Sequence, residues 1–350
     1  MSLTDHIQAR IARNGPLTVA EFMADALMHP TMGYYATRDP LGARGDFITA
    51  PEISQMFGEM LGLCLAQAWL DQGAPPDFAL VELGPGRGTL MADMLRAASK
   101  VQGFAQAAQV HLVEASLVLR AAQSQLLGRV THHDTVESLP QLPTFLVANE
   151  FFDALPIRQF ERDGAAWRER HIALIDGALS FGLGAATPFA HLAHRLEDTA
   201  DGDVIEHCPM AAPIIESISQ RIETHGGAAL IIDYGDWRSL GDTLQALKGH
   251  RAVAPLDHIG HADLTAHVDF ETLASAAKCA HTRLTPQGVY LERLGITARA
   301  QTLAQSLEAD ALDAHISAHR RLTHPSEMGT LFKVLGLLPA NAPPLAGLTT

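Results

Sequence analysis

The chain has 350 residues, 47% of them hydrophobic, which is enough to bury a large core in one domain with insertions or in two, and which excludes extensive disorder. A formal charge of -14 disfavours nucleic acid and favours, if anything, a cationic partner. No run approaches the roughly eighteen consecutive apolar residues of a membrane span. The N-terminal MSLTDHIQAR lacks the apolar core of a signal peptide and the Arg-rich pattern of a transit peptide, so a cytoplasmic location is expected.

Residues 4–14 read as a short helix closed by Gly15-Pro16, and Thr18 caps a second helix over residues 19–27. The aromatic, turn-rich stretch around Tyr34 and the segment Gly45-Asp46-Phe47-Ile48-Thr49-Ala50-Pro51-Glu52 then lead into a mostly apolar helix over residues 53–70. Tyr34, Asp46, Phe47 and Thr49 are candidates for a lid or site wall, the alternative being an ordinary N-terminal cap over the core.

The organising stretch is residues 79–91. Ala79-Leu80-Val81 read as a buried strand, Gly84, Pro85, Gly86 and Gly88 form a tight turn, and residues 89–101 continue as a helix. Such glycines let the backbone approach a ligand, and the helix N-terminus favours a carboxylate or phosphate. The spacing E-L-G-P-G-R-G departs from the G-x-G-x-x-G of dinucleotide sites and puts Glu82 at the strand end. A carboxylate there suits a ligand bearing an ammonium group beside its own carboxylate, as in the methionine moiety of S-adenosylmethionine. A dinucleotide loop and a purely structural turn are the alternatives.

A second strand over residues 109–114 ends in Glu114, where an acid takes ribose hydroxyls in nucleotide-binding α/β folds. After a helix over 117–127, a third strand near 130–132 leads to His133 and Asp134, candidates for the adenine edge. The fourth strand, 144–148, empties into Asn149, Glu150 and Asp153, outside the carboxyl ends of a parallel sheet, where ligands bind. From residue 157 the runs 157–161, 167–175 and 179–181, separated by Asp163-Gly164 and Asp176-Gly177, carry the signature of antiparallel hairpins and mark an insertion. A helical stretch at 188–197, a strand at 203–206 and a helix at 209–225 complete it.

A fifth core strand, 228–232, ends at Asp233, His267 falls in a later loop, and residues 282–285 and 330–337 supply the last strands. The expected organisation is a helical cap and lid over 1–75, the first half of a cofactor-binding core over 76–156, the insertion over 157–227, the second half of the core over 228–338, and a flexible tail over 339–350. Cys64, Cys208 and Cys279 form no C-x-x-C pair, which argues against a disulfide framework or zinc site. Among 18 histidines, His191 with His194 and His315 with His319 could share helix faces, but neither pair has a third ligand, so no metal is expected.

The stretches GDFITAPEISQMFGE (45–59), LVELGPGRGTLMADMLR (80–96), VHLVE (110–114), NEFFDALP (149–156), ALIIDYG (229–235), GDTLQA (241–246), DLTAHVDF (263–270) and GTLFKVL (329–335) occur together and in this order. From about residue 15 to residue 338 the chain resembles the MidA-like family of class I S-adenosylmethionine-dependent methyltransferases. The resemblance implies a Rossmann-like α/β fold with a seven-stranded, mostly parallel sheet whose last strand is antiparallel and inserted beside the fifth. It also implies S-adenosyl-L-methionine as cofactor and arginine methylation of a partner protein. For the mitochondrial members it implies a role in assembly of respiratory complex I and symmetric dimethylation of one of its subunits. Relatives commonly show serine where this chain has Cys208.

Methyl transfer from a sulfonium is an in-line displacement, and an arginine acceptor must be held in a fork, oriented, and relieved of a proton. Glu150 and Asp153 are candidates for the grip, Asn149 for orientation, and Tyr34, Asp46, Asp233 and His267 for the surrounding wall. Competing roles are helix capping for Asp153 and a salt bridge for Glu150. The functional alternative is a catalytically silent, cofactor-binding assembly chaperone. The methyl acceptor and the oligomeric state are left open by the sequence.

Overall fold

The computed structural model describes residues 2–37 and 49–350. Two expected lid residues, Asp46 and Phe47, lie outside the described residues. The chain divides into two compact units: Met1–Phe47 with Asp153–Ala211 and Arg238–Asp269, and Ile48–Phe152 with Ala212–Trp237 and Phe270–Thr350.

The second unit holds the main sheet. The strands this unit contributes to it are Phe78–Leu83 (β1), Ala108–Val113 (β2), Thr131–His133 (β3), Thr144–Asn149 (β4), Gly227–Asp236 (β5), Ala280–His281 (β6), Thr285–Pro286 (β7) and Phe332–Leu338 (β8). Helices used below are Ala50–Ile53 (α1), Gln55–Asp71 (α2), Thr89–Ala98 (α3), Leu117–Leu127 (α4) and Ile296–Ala304 (α5). The strand order is β6-β8-β5-β4-β1-β2-β3. β1 to β5 pair in parallel, and β8 runs antiparallel beside β5, as the family resemblance implies. The short β7 also pairs with β8, off the main path, so the sheet is not simply seven strands. β1 and β4 are buried at every residue. Covered on both faces, such strands read as apolar runs instead of alternating.

Register positions the site. Leu83 lies opposite Val113 and Ala148, Val113 opposite His133, and Ala148 opposite Ile231. The residues that follow, Gly84, Glu114, Asp134 and Asn149, therefore line one sheet edge. β1 is flanked by β2 on one side and by β4 on the other, which makes that edge the topological switch point where open α/β sheets bind ligands.

Two expected boundaries shift. The helix α2 buries Met56, Phe57, Leu61 and Leu65 in one apolar cluster with Phe78, Leu80 and Phe145, so it belongs to the core and not to an N-terminal cap ending at residue 75. Residues 339–350, expected as a flexible tail, carry Leu345 and Leu348 into the same cluster at 3% and 5% exposure, and Thr349 O accepts from Arg283 N at 2.7 Å. Burying two leucine side chains outweighs the loop-like Pro and Gly content around them, at roughly 1.5–3 kcal/mol each.

In the first unit, the helices Leu3–Asn14 and Val19–Met28 each start with a capping box, Ser2 with Asp5 and Thr18 with Glu21. Leu17 pairs with Ile172 of the strand Ala166–Ile175, so the N-terminal helices and the insertion form one body. That strand pairs with Arg158–Asp163 and with Ala178–Thr187. The latter turn is Asp176-Gly177, both residues with positive φ, as a two-residue hairpin of right-handed twist requires.

One buried ion cluster ties three helices of the core unit together. Glu59 of α2 accepts from Arg96 of α3 at 2.7 Å and from both Nε and Nη2 of Arg299 of α5, at 2.6 and 3.0 Å. Burial by itself would raise this carboxyl, but the two guanidiniums outweigh it and hold it below its ordinary value. Its stabilisation is therefore complete above pH 4.5 and is lost as pH falls through the lowered native value. Glu59→Gln is expected to reduce the unfolding free energy by about 2 kcal/mol at neutral pH, less than for a fully buried pair because both arginines are partly solvated. Urea titrations at pH 7 and in acid would show the gap between the two proteins closing in acid.

Candidate active site

The loop after β1 is built for close approach. Gly84 has φ +59, and a Cβ there would meet the Phe151 ring at 3.0 Å. Its N–H donates to Val113 O at 3.0 Å, and Gly86 O accepts from Gln123 Nε2 at 2.6 Å. Beside the loop, Glu82 is 3% exposed, and its Oε2 has no hydrogen-bond partner among the described residues. Burial pushes its carboxyl up to about 8, opposed by a hydrogen bond from the Met91 backbone and reinforced by the charge of Glu114. A buried carboxylate oxygen without a donor is costly unless a ligand supplies one, and an ammonium group is the donor that its charge selects.

At the next strand end, Glu114 Oε1 accepts from Ser116 N at 2.7 Å and Oε2 from Gln123 Nε2 at 3.3 Å. Each oxygen keeps further acceptor capacity for a pair of hydroxyls. Burial raises this carboxyl, and the bonds from Ser116 and Gln123 partly offset the rise. Asp134 is 88% exposed in its side chain and pairs with Arg120 at 2.5 Å. His133 is otherwise placed than expected. Its Nε2 lies 2.9 Å from His111 Nδ1 and its Nδ1 2.8 Å from Ser138 Oγ, so neither ring nitrogen is left for an adenine edge.

At the end of β4, Asn149 is buried, and its Oδ1 has no hydrogen-bond partner among the described residues, while its Nδ2 donates to Glu150 Oε1 at 3.2 Å. Glu150 has φ +51, a left-handed conformation that costs a glutamate about 1–3 kcal/mol and that surrounding structure must hold in place. Its N–H donates to Ile232 O at 2.9 Å, and its Oε1 accepts from Ala50 N at 3.1 Å at the start of α1. Thr89 at the start of α3 donates to Glu52 at 2.7 Å. The segment from Thr49 to Glu52 is thus pinned both to the β4 end and to the helix that follows the glycine loop; Thr49 occupies the N-cap position of α1 without a side-chain capping bond. Asp233, expected as a wall residue, bonds the backbone. It is fully buried, accepting from Phe152 N at 3.0 Å and from Tyr234 N at 3.0 Å, and it braces the turn that carries Glu150.

In the first unit, Asp153 is buried, and its backbone O accepts from Ala266 N at 3.0 Å. Tyr35 donates to Asp263 at 3.1 Å; burial, then the charges of Asp263 and Asp153, raise its hydroxyl well above the ordinary tyrosine value. Tyr34, expected as a wall residue, is instead fully buried in the apolar core of this unit, edge-on to Tyr35. A single residue decides which tyrosine faces core and which faces carboxylate, because neighbours on a helix point about 100° apart. The His267 N–H donates to Thr243 Oγ1 at 2.8 Å, and Thr243 in turn donates to the buried Glu206. The Cys208 thiol is pushed up to about 11 by burial, which makes it a poor nucleophile. Tyr35, Asp263, Arg120 and Gln123 were missed from the sequence. Only the last pair carried a signal, two polar residues three apart on the helix after the Glu114 strand.

Because native Glu82 retains a proton that the unfolded chain releases at pH 4.5, it makes stability fall as pH rises from 4.5 towards 8. Relative to Glu82→Gln, the unliganded wild type is expected to lose stability across that window with a slope approaching about 1.4 kcal/mol per pH unit, levelling off above it. A pH-independent difference in denaturation between the two proteins would contradict the elevated carboxyl.

Residues 60–289 match the model of a family described as "Putative S-adenosyl-L-methionine-dependent methyltransferase". The chain is 37% identical over 367 residues to the Mus musculus protein named Protein arginine methyltransferase NDUFAF7, mitochondrial, spanning 95% of this chain and 84% of that one. It is 36% identical over 366 residues to the Homo sapiens protein of the same name, spanning 95% and 82%. A crystal structure from Burkholderia thailandensis with bound S-adenosyl-homocysteine superposes with a TM-score of 0.83 at 29% identity, over 99% of this chain and 94% of that one. The relatives are named as mitochondrial proteins, which overturns the cytoplasmic expectation: that expectation rested on the absence of an addressing pattern, and an absence carries no address. A buried acid beside a glycine turn, a second acid at the neighbouring strand end and a likeness spanning almost the whole sequence lead to one conclusion: the chain belongs to the MidA-like family of class I S-adenosyl-L-methionine-dependent methyltransferases.

Proposed function

We propose that this protein is a protein arginine N-methyltransferase, and that Glu150 with Asn149 at the end of β4 receives the acceptor guanidinium. The observation that carries the reading is the strained backbone of Glu150, held by Ile232 O and Ala50 N beside the buried Asn149 Oδ1, which has no hydrogen-bond partner among the described residues. Strain of this kind clusters at active sites and ligand clamps. The names of the relatives support arginine as the acceptor.

S-adenosylmethionine, when bound, supplies an electrophilic methyl group. In this reading the Glu82 carboxylate receives the ammonium of the methionine moiety, the N-terminus of α3 with Gly84, Pro85, Gly86 and Gly88 receives its carboxylate, and Glu114 receives the ribose hydroxyls, with Asp134 at the adenine side. Asn149 Oδ1 accepts from one guanidino N–H and fixes its plane. The Glu150 carboxylate takes the proton that the same nitrogen gives up. Asp153, three residues further along the chain, is proposed as the second carboxylate for the acceptor. The acceptor itself is proposed to be an arginine of a partner protein, with a subunit of respiratory complex I as the candidate that the family resemblance supplies.

Two outcomes test this. Glu150→Gln is expected to keep cofactor affinity within about twofold and to lose at least about a hundredfold in methyl transfer to a protein acceptor, the range of one acid–base group. Unchanged turnover would remove Glu150, whereas tight cofactor binding with no transfer to any acceptor in the wild type would favour the silent chaperone. Cofactor binding is also expected to release a proton from Glu82 below pH 8, so that affinity rises by up to about tenfold per pH unit between pH 6 and 8. Calorimetry in buffers of different ionisation enthalpy reads this directly, and Glu82→Gln should abolish it.

A further inference from the structure

Gln123 is fully buried in the middle of α4. A primary amide removed from water is costly unless its donors and acceptor are all used. Here Nε2 lies 2.6 Å from Gly86 O and 3.3 Å from Glu114 Oε2, and Oε1 lies 2.9 Å from His132 Nε2. A carbonyl and a carboxylate can only accept, so the amide nitrogen must face them and the amide oxygen must face His132, which therefore carries its ring proton on Nε2. One turn earlier on the same helix face, Arg120 Nε donates to Glu114 O at 2.7 Å, and its Nη2 donates to His133 O at 3.1 Å and to Asp134 at 2.5 Å. The two side chains thus bind the ends of β1, β2 and β3 to one another through a single helix.

We propose that Gln123 is a positioning residue for the cofactor: its amide fixes the separation between the glycine turn at Gly86 and the Glu114 carboxylate and holds that carboxylate in the rotamer that meets the ribose. This rests on the reading of those two groups as cofactor ligands. Gln123 touches no ligand itself and acts through Glu114 and the turn. His132 belongs to the same device, since its Nε2–H satisfies the amide oxygen left on the far side from Glu114. The amide also has to be uncharged, because a carboxylate in its place would set two acceptors against Glu114 Oε2 and Gly86 O.

The test uses the full chain and S-adenosylhomocysteine as the probe, with Kd from calorimetry and a thermal melt of each unliganded protein. Gln123→Met, close in volume, is expected to fold and to weaken binding by about tenfold, as the loss of hydrogen bonds to a charged group would. In a Glu114→Gln background the same change should cost less than about threefold, because its effect runs through that carboxylate. Relative to wild type at the same pH, Gln123→Glu should bind weakly at pH 8 and close the gap as pH falls, when its protonated carboxyl can again donate. The ratio to wild type removes the contribution of Glu82, whose protonation weakens binding of both proteins as pH falls. A Gln123→Met Kd within twofold of wild type, additive losses in the double variant, no recovery of Gln123→Glu relative to wild type in acid, or failure of both single variants to fold would each overturn the proposal. Wild type that does not bind S-adenosylhomocysteine would instead remove the cofactor reading on which it rests.

Discussion

Parallel pairing of Phe78–Leu83 with a neighbour on each side constrains everything else in the core unit. Because Leu83 is level with Val113 on one side and with Ala148 on the other, the chain leaves all three strands at the same height. The first polar residues beyond them are forced into one row. Neighbouring strands lie about 4.8 Å apart, so Glu114, Gly84 and Asn149 span roughly 10 Å, the scale of a nucleoside with a short side arm. No loop has to reach for the site, because the strand ends already converge on it.

Two buried glutamates show how environment divides one side chain into two roles. Glu59 meets two guanidiniums and is held ionised below its ordinary value, so it works as a structural clamp among three helices. Among the described residues Glu82 meets no cation, and burial drives its carboxyl up to about 8. An acid kept short of partners is a poor contributor to stability and a good receptor for a cationic ligand group. Asp233 is a third case: its two oxygens are taken by the backbone N–H groups of Phe152 and Tyr234, and its product is the geometry of the turn at Glu150. The same helix face that buries Gln123 ties the glycine turn and Glu114 together, so the site is braced from within the core.

The first unit joins segments that are far apart in sequence. A strand of two residues, Leu17–Thr18, is enough to attach the N-terminal helices to the hairpins, since Leu17 pairs with Ile172 and packs with it in one apolar cluster. Its own polar focus is Tyr35 with Asp263 and Asp153, a grouping that contains one residue singled out from the sequence and two that were not. The hydroxyl of Tyr35 is locked as a donor by the Asp263 carboxylate, and burial with the charges of Asp263 and Asp153 makes its deprotonation unfavourable.

What the sequence determined by itself is the local chemistry. The run FALVEL, the glycine turn and α3 were legible because a buried parallel strand, a set of glycines and a helix start each leave a short-range signature, and the hairpins announced themselves through Asp-Gly turns. The positions of Glu82, Glu114, Asn149 and Glu150 were legible for the same reason, as acids and amides at or just beyond strand ends. Which of Tyr34 and Tyr35 enters the core, that Asp233 serves the backbone, that His133 is consumed by His111 and Ser138, and that Leu345 and Leu348 anchor the C-terminal segment were decided only in three dimensions. Each depends on a partner more than a few residues away or on the rotation of a helix about its axis, and neither quantity is written in a residue's own neighbourhood.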